Sequence, residues 1–196
     1  TNYGKSMHLI TIKYFLVTLS IIIVYVATAL LGFEFASIKP NVTMIWMPSG
    51  VALAGILYFG YRYLLAIFIG AVIANIFSDI GIFSSLLIAL GNTSEAFVAS
   101  WIINFFFKSH LTIFDSPRYI LVFCIAVICG AFAAALNGAT VLAMQVLQNW
   151  EQFYEIMSIW WLGDAMGMLL ITPTLLLWAQ PPYNYPLKVI KRNLFF

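Results

Sequence analysis

Long apolar segments separated by short polar breaks dominate this sequence. They lie near residues 9–33, 48–61, 63–79, 83–107, 119–147 and 158–179. A helix needs about 20 predominantly apolar residues to cross a bilayer. Charged residues make up only 8% of the chain, whereas soluble domains carry about 25%. Because a large protein core cannot account for that deficit, we predict an all-α polytopic membrane protein with about six transmembrane helices.

The basic residues are distributed unevenly between the two sides that alternating spans create. One side receives eight of them: Lys5, Lys13, Arg62, Lys108, Arg118, Lys188, Lys191 and Arg192. The opposite side receives only Lys39. Because cytoplasmic loops carry an excess of Lys and Arg, we predict that both termini lie in the cytoplasm. The expected location is the bacterial inner membrane, with multiple passes.

The charges also suggest the domain organisation. We predict an integral membrane domain over residues 1–180 and a cytoplasmic juxtamembrane segment over residues 181–196. The basic cluster Lys188, Lys191 and Arg192 lies beside the last span, where anionic lipid would hold it. Three charges in this position form no nucleic-acid-binding stripe, so we expect contact with membrane lipid and no nucleic-acid partner.

The second span is unusually short. Pro48 is well placed at the first position of a helix, and Arg62 fixes the cytoplasmic end. A helix between them is only about 21 Å long, shorter than the hydrocarbon layer of about 30 Å. We therefore predict that residues 42–47 descend into the membrane as an irregular re-entrant segment. Such backbone needs protein cover or a cavity, and a tilted neighbouring helix is the alternative way to fill the gap.

Polar residues inside the spans fall at a common depth in their outer halves. We predict that they line one cavity open to the outside, and the candidate ligand-binding residues are Trp46, Pro48, Ser49, Asn75, Asn92, Glu95, Asn137, Trp160 and Asp164. Acids within spans are costly and are functional hypotheses by default. Glu95 is expected near the middle of its span, and Asp164 about 8 Å below the outer end of the last span.

No lysine or arginine lies inside a span to neutralise these two acids. They must be protonated, hydrogen-bonded to Asn, Ser or helix-start amides, or reached by water or a cation. Glu95, the deeper acid in this prediction, should be protonated more readily than Asp164. The alternative is a satisfied polar network that only fixes helix register, since interhelical polar contacts are common in membranes.

Other features indicate packing rather than chemistry. The small-residue pairs are Gly163/Gly167, Gly70/Ala74 and Gly130/Ala134, and they favour close helix contact. Cys124 and Cys129 match neither a redox motif nor a metal-ligand spacing. His8 and His110 lie near the cytoplasmic side, far from Ser49, so a Ser–His nucleophile pair is not expected. We therefore expect no catalytic residues, metal site or cofactor.

The polar residues also belong to motifs that identify a family. These motifs are 45–54 (IWMPSGVALA), 60–62 (GYR), 68–71 (FIGA), 74–75 (AN), 90–93 (LGNT) with 95–96 (EA), and 160–164 (WWLGD) with Gly167 and 172–173 (TP). In this order and spacing the chain resembles the membrane-associated sensor domain of the first MASE class. That domain lies at the N-terminus of bacterial histidine kinases and cyclic-di-GMP enzymes.

The resemblance implies sensing, without catalysis inside the membrane. A cytoplasmic output module, a two-component histidine kinase or a cyclic-di-GMP enzyme such as a diguanylate cyclase, would follow the C-terminus. The expected partners are an unknown small ligand or membrane protein, and a second copy of the chain through the output module. The alternative function is a small-solute transporter or its substrate-binding membrane subunit, which would also place polar residues on broken helices. A structural membrane scaffold is a third alternative.

Overall fold

The structure, a computed structural model, describes residues 2–34, 45–107 and 116–179, with side chains from residue 11 onward. These residues form six α-helices and no strand. The helices are α1 (Asn2–Glu34), α2 (Met47–Phe59), α3 (Leu64–Ile76), α4 (Ile82–Phe106), α5 (Pro117–Val141) and α6 (Phe153–Ala179). A 3₁₀ turn, Tyr61–Tyr63, joins α2 to α3, and a π-helical turn, Leu142–Val146, extends α5.

The all-α membrane class is confirmed. Within the described residues, four helical stretches are long and apolar enough to cross a membrane, namely Thr11–Glu34, Ile82–Phe106, Pro117–Val146 and Phe153–Ala179. Two shorter apolar stretches, Met47–Phe59 and Tyr61–Ile76, coincide with the predicted second and third spans. The exact number of spans and their orientation stay predictions.

Helix α2 lies at the centre of the bundle. Every residue from 48 to 57 is buried, so the helix has no exposed face over that length. Helix α1 packs on α3, α3 on α4, α4 on α5 and α5 on α6, while α2 contacts α1, α4 and α6. With 13 residues, α2 is about 20 Å long, which confirms the short second helix. It begins at Met47, one residue before the predicted start, with Pro48 in its first turn.

The outer surface of the bundle is apolar and its interior is rich in small residues. Large side chains such as Phe15, Leu65 and Phe105 are 62%, 63% and 72% exposed. Alanines fill the interior, among them Ala71, Ala89, Ala99, Ala126, Ala131, Ala135 and Ala139, each 0% exposed. A soluble protein rarely exposes so large an apolar surface. Small residues at helix contacts and large ones outside are the arrangement expected in lipid.

The predicted small-residue pairs lie at helix–helix contacts. A Cβ on Gly130 would lie 2.8 Å from the Glu95 carbonyl oxygen on α4, and a Cβ on Gly70 would lie 3.2 Å from Tyr25 on α1. A Cβ on Gly167 would overlap the Trp46 carbonyl group ahead of α2. At Gly130 and Gly167 the helices therefore approach too closely for a side chain unless the backbone shifts, and at Gly70 an added methyl group would be tight against Tyr25.

The charge distribution predicts a testable orientation. A reporter that is active only in the cytoplasm should be active when fused after Arg192 or within residues 108–118. The same reporter should be silent within residues 149–157, because that segment carries the acids Glu151 and Glu155 and no cation. The reverse pattern of reporter activity would contradict the predicted orientation and place the polar end of the bundle in the cytoplasm.

Candidate functional site

A small cavity lies where one end of every helix of the bundle converges. It is lined by Phe33, Trp46, Asn75, Ser78, Ile80, Ile88, Asn92, Leu142, Trp160 and Asp164. Its volume is about 30 Å³. A cavity needs about 10–15 Å³ to hold one water molecule, and pockets for drug-sized ligands measure about 300–1,000 Å³. In this conformation the cavity has room for water or a very small ligand.

Two buried carboxyl groups meet at a single serine next to the cavity. The Ser49 hydroxyl lies 2.9 Å from Glu95 Oε2 and 3.1 Å from Asp164 Oδ1. All three residues are 1% exposed. Ser49 comes from the first turn of α2, Glu95 from the middle of α4 and Asp164 from α6. The cluster therefore links three helices that are far apart in the sequence.

The two contacts of Ser49 constrain where the protons are. A serine hydroxyl carries one hydrogen and can donate it to only one acceptor. If both contacts are hydrogen bonds, one carboxyl group must be protonated and donate to Ser49 Oγ. Glu95 Oε1 and Asp164 Oδ2 are buried and have no hydrogen-bond partner. The cluster thus retains two polar atoms without a hydrogen-bond partner. Of the two residues that carry them, Asp164 lines the cavity and Glu95 does not.

The segment ahead of α2 is held by α6. The Trp46 N–H donates to the Gly163 carbonyl oxygen at 2.9 Å, and the Ser49 N–H donates to the Trp46 carbonyl oxygen at 3.2 Å. The Thr172 hydroxyl donates to the Gly50 carbonyl oxygen at 3.0 Å. Residues 45–46 are irregular, as predicted for the descent, and residues 42–44 lie outside the described residues. The helix start is therefore positioned by backbone contacts with the WWLGD motif of α6.

Asparagines differ in their surroundings within the site. Asn92 lines the cavity and donates from Nδ2 to the Tyr25 hydroxyl at 3.2 Å. Asn75 also lines the cavity, and its Nδ2 donates to the Ala71 carbonyl of its own helix at 2.8 Å. Asn137 is not among the lining residues, and its amide fills the space that a Cβ on Gly91 would take. Asn137 therefore contributes to the α4–α5 contact.

The structure brings most of the sequence-predicted site residues together. Five of the nine line the cavity: Trp46, Asn75, Asn92, Trp160 and Asp164. Ser49 and Glu95 lie directly behind Asp164, and Pro48 is buried beside Ser49. The two acids do not differ in burial within the protein, and their relative depth in the membrane stays a prediction. Helix α6 begins at Phe153 rather than near residue 158, and Asp164 is as buried as Glu95.

Sequence reasoning missed several residues of the site. Tyr25 is 1% exposed and hydrogen-bonded to Asn92, but in the sequence it is one aromatic residue in a long apolar run. Phe33 and Leu142 line the cavity from the ends of α1 and of the α5 extension. Apolar lining residues give no polar signal, and the π-helical turn that begins at Leu142 has no sequence marker.

The part of the chain that the structure describes contains no conventional set of metal ligands. There, no group of three or more His, Cys, Asp or Glu side chains is placed to hold a metal ion. None of the described residues that line the cavity is basic. The site thus offers carboxyl oxygens, amides and aromatic rings.

Comparison with known proteins identifies the family but no characterised relative. The MASE1 family model matches residues 17–189, which is nearly the whole chain. No curated protein and no solved structure matches the chain. The matched range includes every residue of the cavity and of the carboxyl cluster, and it agrees with the motifs quoted from the sequence. The chain therefore belongs to the MASE1 family of membrane-associated sensor domains.

Proposed function

We propose that this domain detects a small molecule or condition from the external side of the bacterial inner membrane. It would pass the signal to a cytoplasmic histidine kinase or cyclic-di-GMP module beyond residue 196. Family membership supports a sensory input role for signalling proteins. The domain itself would have no enzymatic activity, and any catalysis would belong to the output module, through which two copies of the protein would associate.

The observation that carries this proposal is the cavity with its buried acid. Asp164 lines the cavity, is 1% exposed and has one carboxylate oxygen without a partner. A buried polar atom without a partner costs free energy that a bound ligand or water can recover. An ionisable group inside a membrane domain usually marks a site of function.

The position of the cavity explains how its occupancy could be transmitted. Its walls come from α1, the segment before α2, α3, α4, the extension of α5, and α6. A ligand can shift a conformational equilibrium only by its differential affinity for the two states. A ligand here would contact all of these elements at once, so a small change in their packing changes its affinity. Helix α6 would carry the change towards the C-terminal side, where the output module is expected.

Asp164→Asn is expected to abolish the response while the protein still folds. Asparagine has nearly the same size and still accepts a hydrogen bond from Ser49, but it cannot carry a negative charge. The measurement is output activity of the full-length protein in its own membrane, while external pH and small solutes are varied. The matched control is Glu151→Gln, which removes an exposed acid from the loop before α6 and leaves the cavity intact.

The parent and the Glu151→Gln variant should respond alike, and Asp164→Asn should give constant output at equal expression. A normal response of Asp164→Asn would contradict the proposed role of the cavity. The coding sequence after residue 196 provides an independent test. A kinase or cyclic-di-GMP module there supports the sensory function, whereas a stop codon favours the transporter alternative.

A further inference from the structure

The cavity combines a buried carboxyl group with the absence of any basic side chain among the described residues that line it. Asp164 Oδ2 is buried without a hydrogen-bond partner, and none of these described lining residues is Lys, Arg or His. A carboxylate in a low-dielectric site is costly unless it is protonated or a positive charge compensates it. The described side chains around the cavity supply no such charge, so a positive partner for the ionised form would come from a ligand.

The hydrogen-bond order around Ser49 places the charge on the acid that faces the cavity. If both Ser49 contacts are hydrogen bonds, at least one carboxyl group is protonated, and either acid could hold that proton. Glu95 Oε1 is enclosed, and Glu95 does not line the cavity. Asp164 lines the cavity, so a ligand that occupies the cavity lies beside this residue, whose free Oδ2 is itself buried. The lower-energy arrangement has protonated Glu95 donating to Ser49 and Ser49 donating to the Asp164 carboxylate. The pair then carries one negative charge.

Aromatic rings form much of the remaining wall. Phe33, Trp46 and Trp160 line the cavity, and the centroids of the Phe33 and Trp46 rings lie 5.1 Å apart. The six-membered ring of Trp160 packs against the Gly138 backbone, where a Cβ would lie 2.6 Å away. The faces of Trp and Phe rings attract cations, and tryptophan does so most strongly. A carboxylate with several aromatic neighbours favours an organic or ammonium cation over an anion.

Amide groups complete the cavity, and its volume limits the size of the ligand. Asn75 and Asn92 each use the amide nitrogen in a hydrogen bond, which leaves their carbonyl oxygens as the acceptors for a ligand. Acceptors together with a carboxylate suit a ligand that brings N–H donors. The volume of about 30 Å³ admits a few atoms, and an ammonium ion is about as large as a water molecule.

We propose that the cavity binds a small ammonium-type cation, ammonium or a short primary amine, through the Asp164 carboxylate and the Trp46 and Trp160 rings. This inference rests on the proposed sensory function, because it names the ligand class of the same site. The ion pair would form beside the Ser49 bridge that joins α2, α4 and α6. Occupancy would therefore act on the central helix of the bundle.

Tryptophan fluorescence of the purified full chain in detergent micelles tests the proposal directly, since Trp46 and Trp160 line the cavity. Ammonium chloride and methylammonium chloride should each produce a saturable change in emission at constant ionic strength. Potassium chloride is the control, because potassium is similar in size to ammonium but has no N–H donors. No saturable change with either amine, or an equal change with potassium, would overturn the proposal.

Variants locate the binding site. Asp164→Asn should weaken ammonium binding by at least about tenfold, because it removes one member of a buried charge pair. Glu95→Gln should weaken binding less than Asp164→Asn, because the amide still donates to Ser49 and Asp164 keeps its charge. Glu151→Gln should bind as the parent does. Equal binding by the parent and Asp164→Asn, or a larger loss in Glu95→Gln, would contradict the assignment of the charge to Asp164.

The binding assay and the output assay fail independently. If Asp164→Asn abolishes the response but no amine binds the parent, the cation assignment is wrong and the sensory function stands. If amines bind and Asp164→Asn prevents this while its output response stays normal, the cation site stands and the sensory role of the cavity is wrong.

Discussion

Gly167→Ala is expected to lower the free energy of unfolding by about 3 kcal/mol or more, at the upper end of the range for overpacked positions. A Cβ at this position would overlap the carbonyl group of Trp46. Both sides of the contact are backbone, so no side chain can rotate away to make room. To accept the methyl group, α6 would have to separate from the start of α2, which also loses the Trp46–Gly163 hydrogen bond.

A second glycine provides the matched control. Gly55 also lies in a buried stretch, on α2, but a Cβ there would lie 3.8 Å from Ile21 Cδ1 and 3.9 Å from Ile21 Cγ1, at ordinary contact distance. Gly55→Ala should therefore leave stability unchanged or raise it, since alanine favours helix by about 1 kcal/mol over glycine. Thermal unfolding of the parent and both variants in detergent compares them. Equal melting of Gly167→Ala and Gly55→Ala would contradict the close contact between α2 and α6.

This contact also shows which parts of the fold could be predicted from the sequence. The Gly163/Gly167 pair predicted a close helix contact, because small residues four apart lie on one helix face. The pair does not name its partner, which is the irregular segment before α2 together with Gly50 in the first turn of α2. The short α2 was predictable because Pro48 and Arg62 limit its length on both sides. The start of α6 was not, because polar residues before residue 158 resemble a loop although the helix continues through them.

The level of the candidate-site residues along their helices could be predicted from the sequence better than the direction of their side chains. Depth follows from the rise of a helix per residue, so Asn92, Asn137 and Asp164 were expected at one level, and the structure places Asn92 and Asp164 in the wall of one cavity. The direction of each side chain depends on how the helices rotate against their neighbours. Asn137 therefore packs on Gly91 instead of lining the cavity, and Tyr25 joins Asn92 without any sequence signal. The Ser49 bridge joins helices that are distant in sequence, and no local pattern predicts it.

Ser49→Ala is expected to have a large effect on both stability and function. The serine hydroxyl is the hydrogen-bond partner of Glu95 Oε2 and of Asp164 Oδ1, at 2.9 and 3.1 Å. Alanine leaves a methyl group between two buried carboxyl groups whose other oxygens are already without partners. Each buried polar group that loses its partner costs about 1–3 kcal/mol, and charged groups cost more. We therefore expect a loss of about 3 kcal/mol in the free energy of unfolding.

A buried serine with a local partner is the matched control for Ser49→Ala. Ser100 is 0% exposed, and its hydroxyl donates at 3.0 Å to the Phe97 carbonyl of the same helix. That carbonyl can keep its backbone hydrogen bond when the hydroxyl is removed, so Ser100→Ala should change stability by less than about 1 kcal/mol. Unfolding of both variants in detergent measures the difference.

Ser49→Ala should also lose the stimulus response wherever it still folds, because Asp164 no longer receives the hydrogen bond that holds its carboxylate at the cavity wall. If Ser49→Ala matched Ser100→Ala in stability and responded normally, the bridge between the carboxyl groups would have no role in folding or signalling.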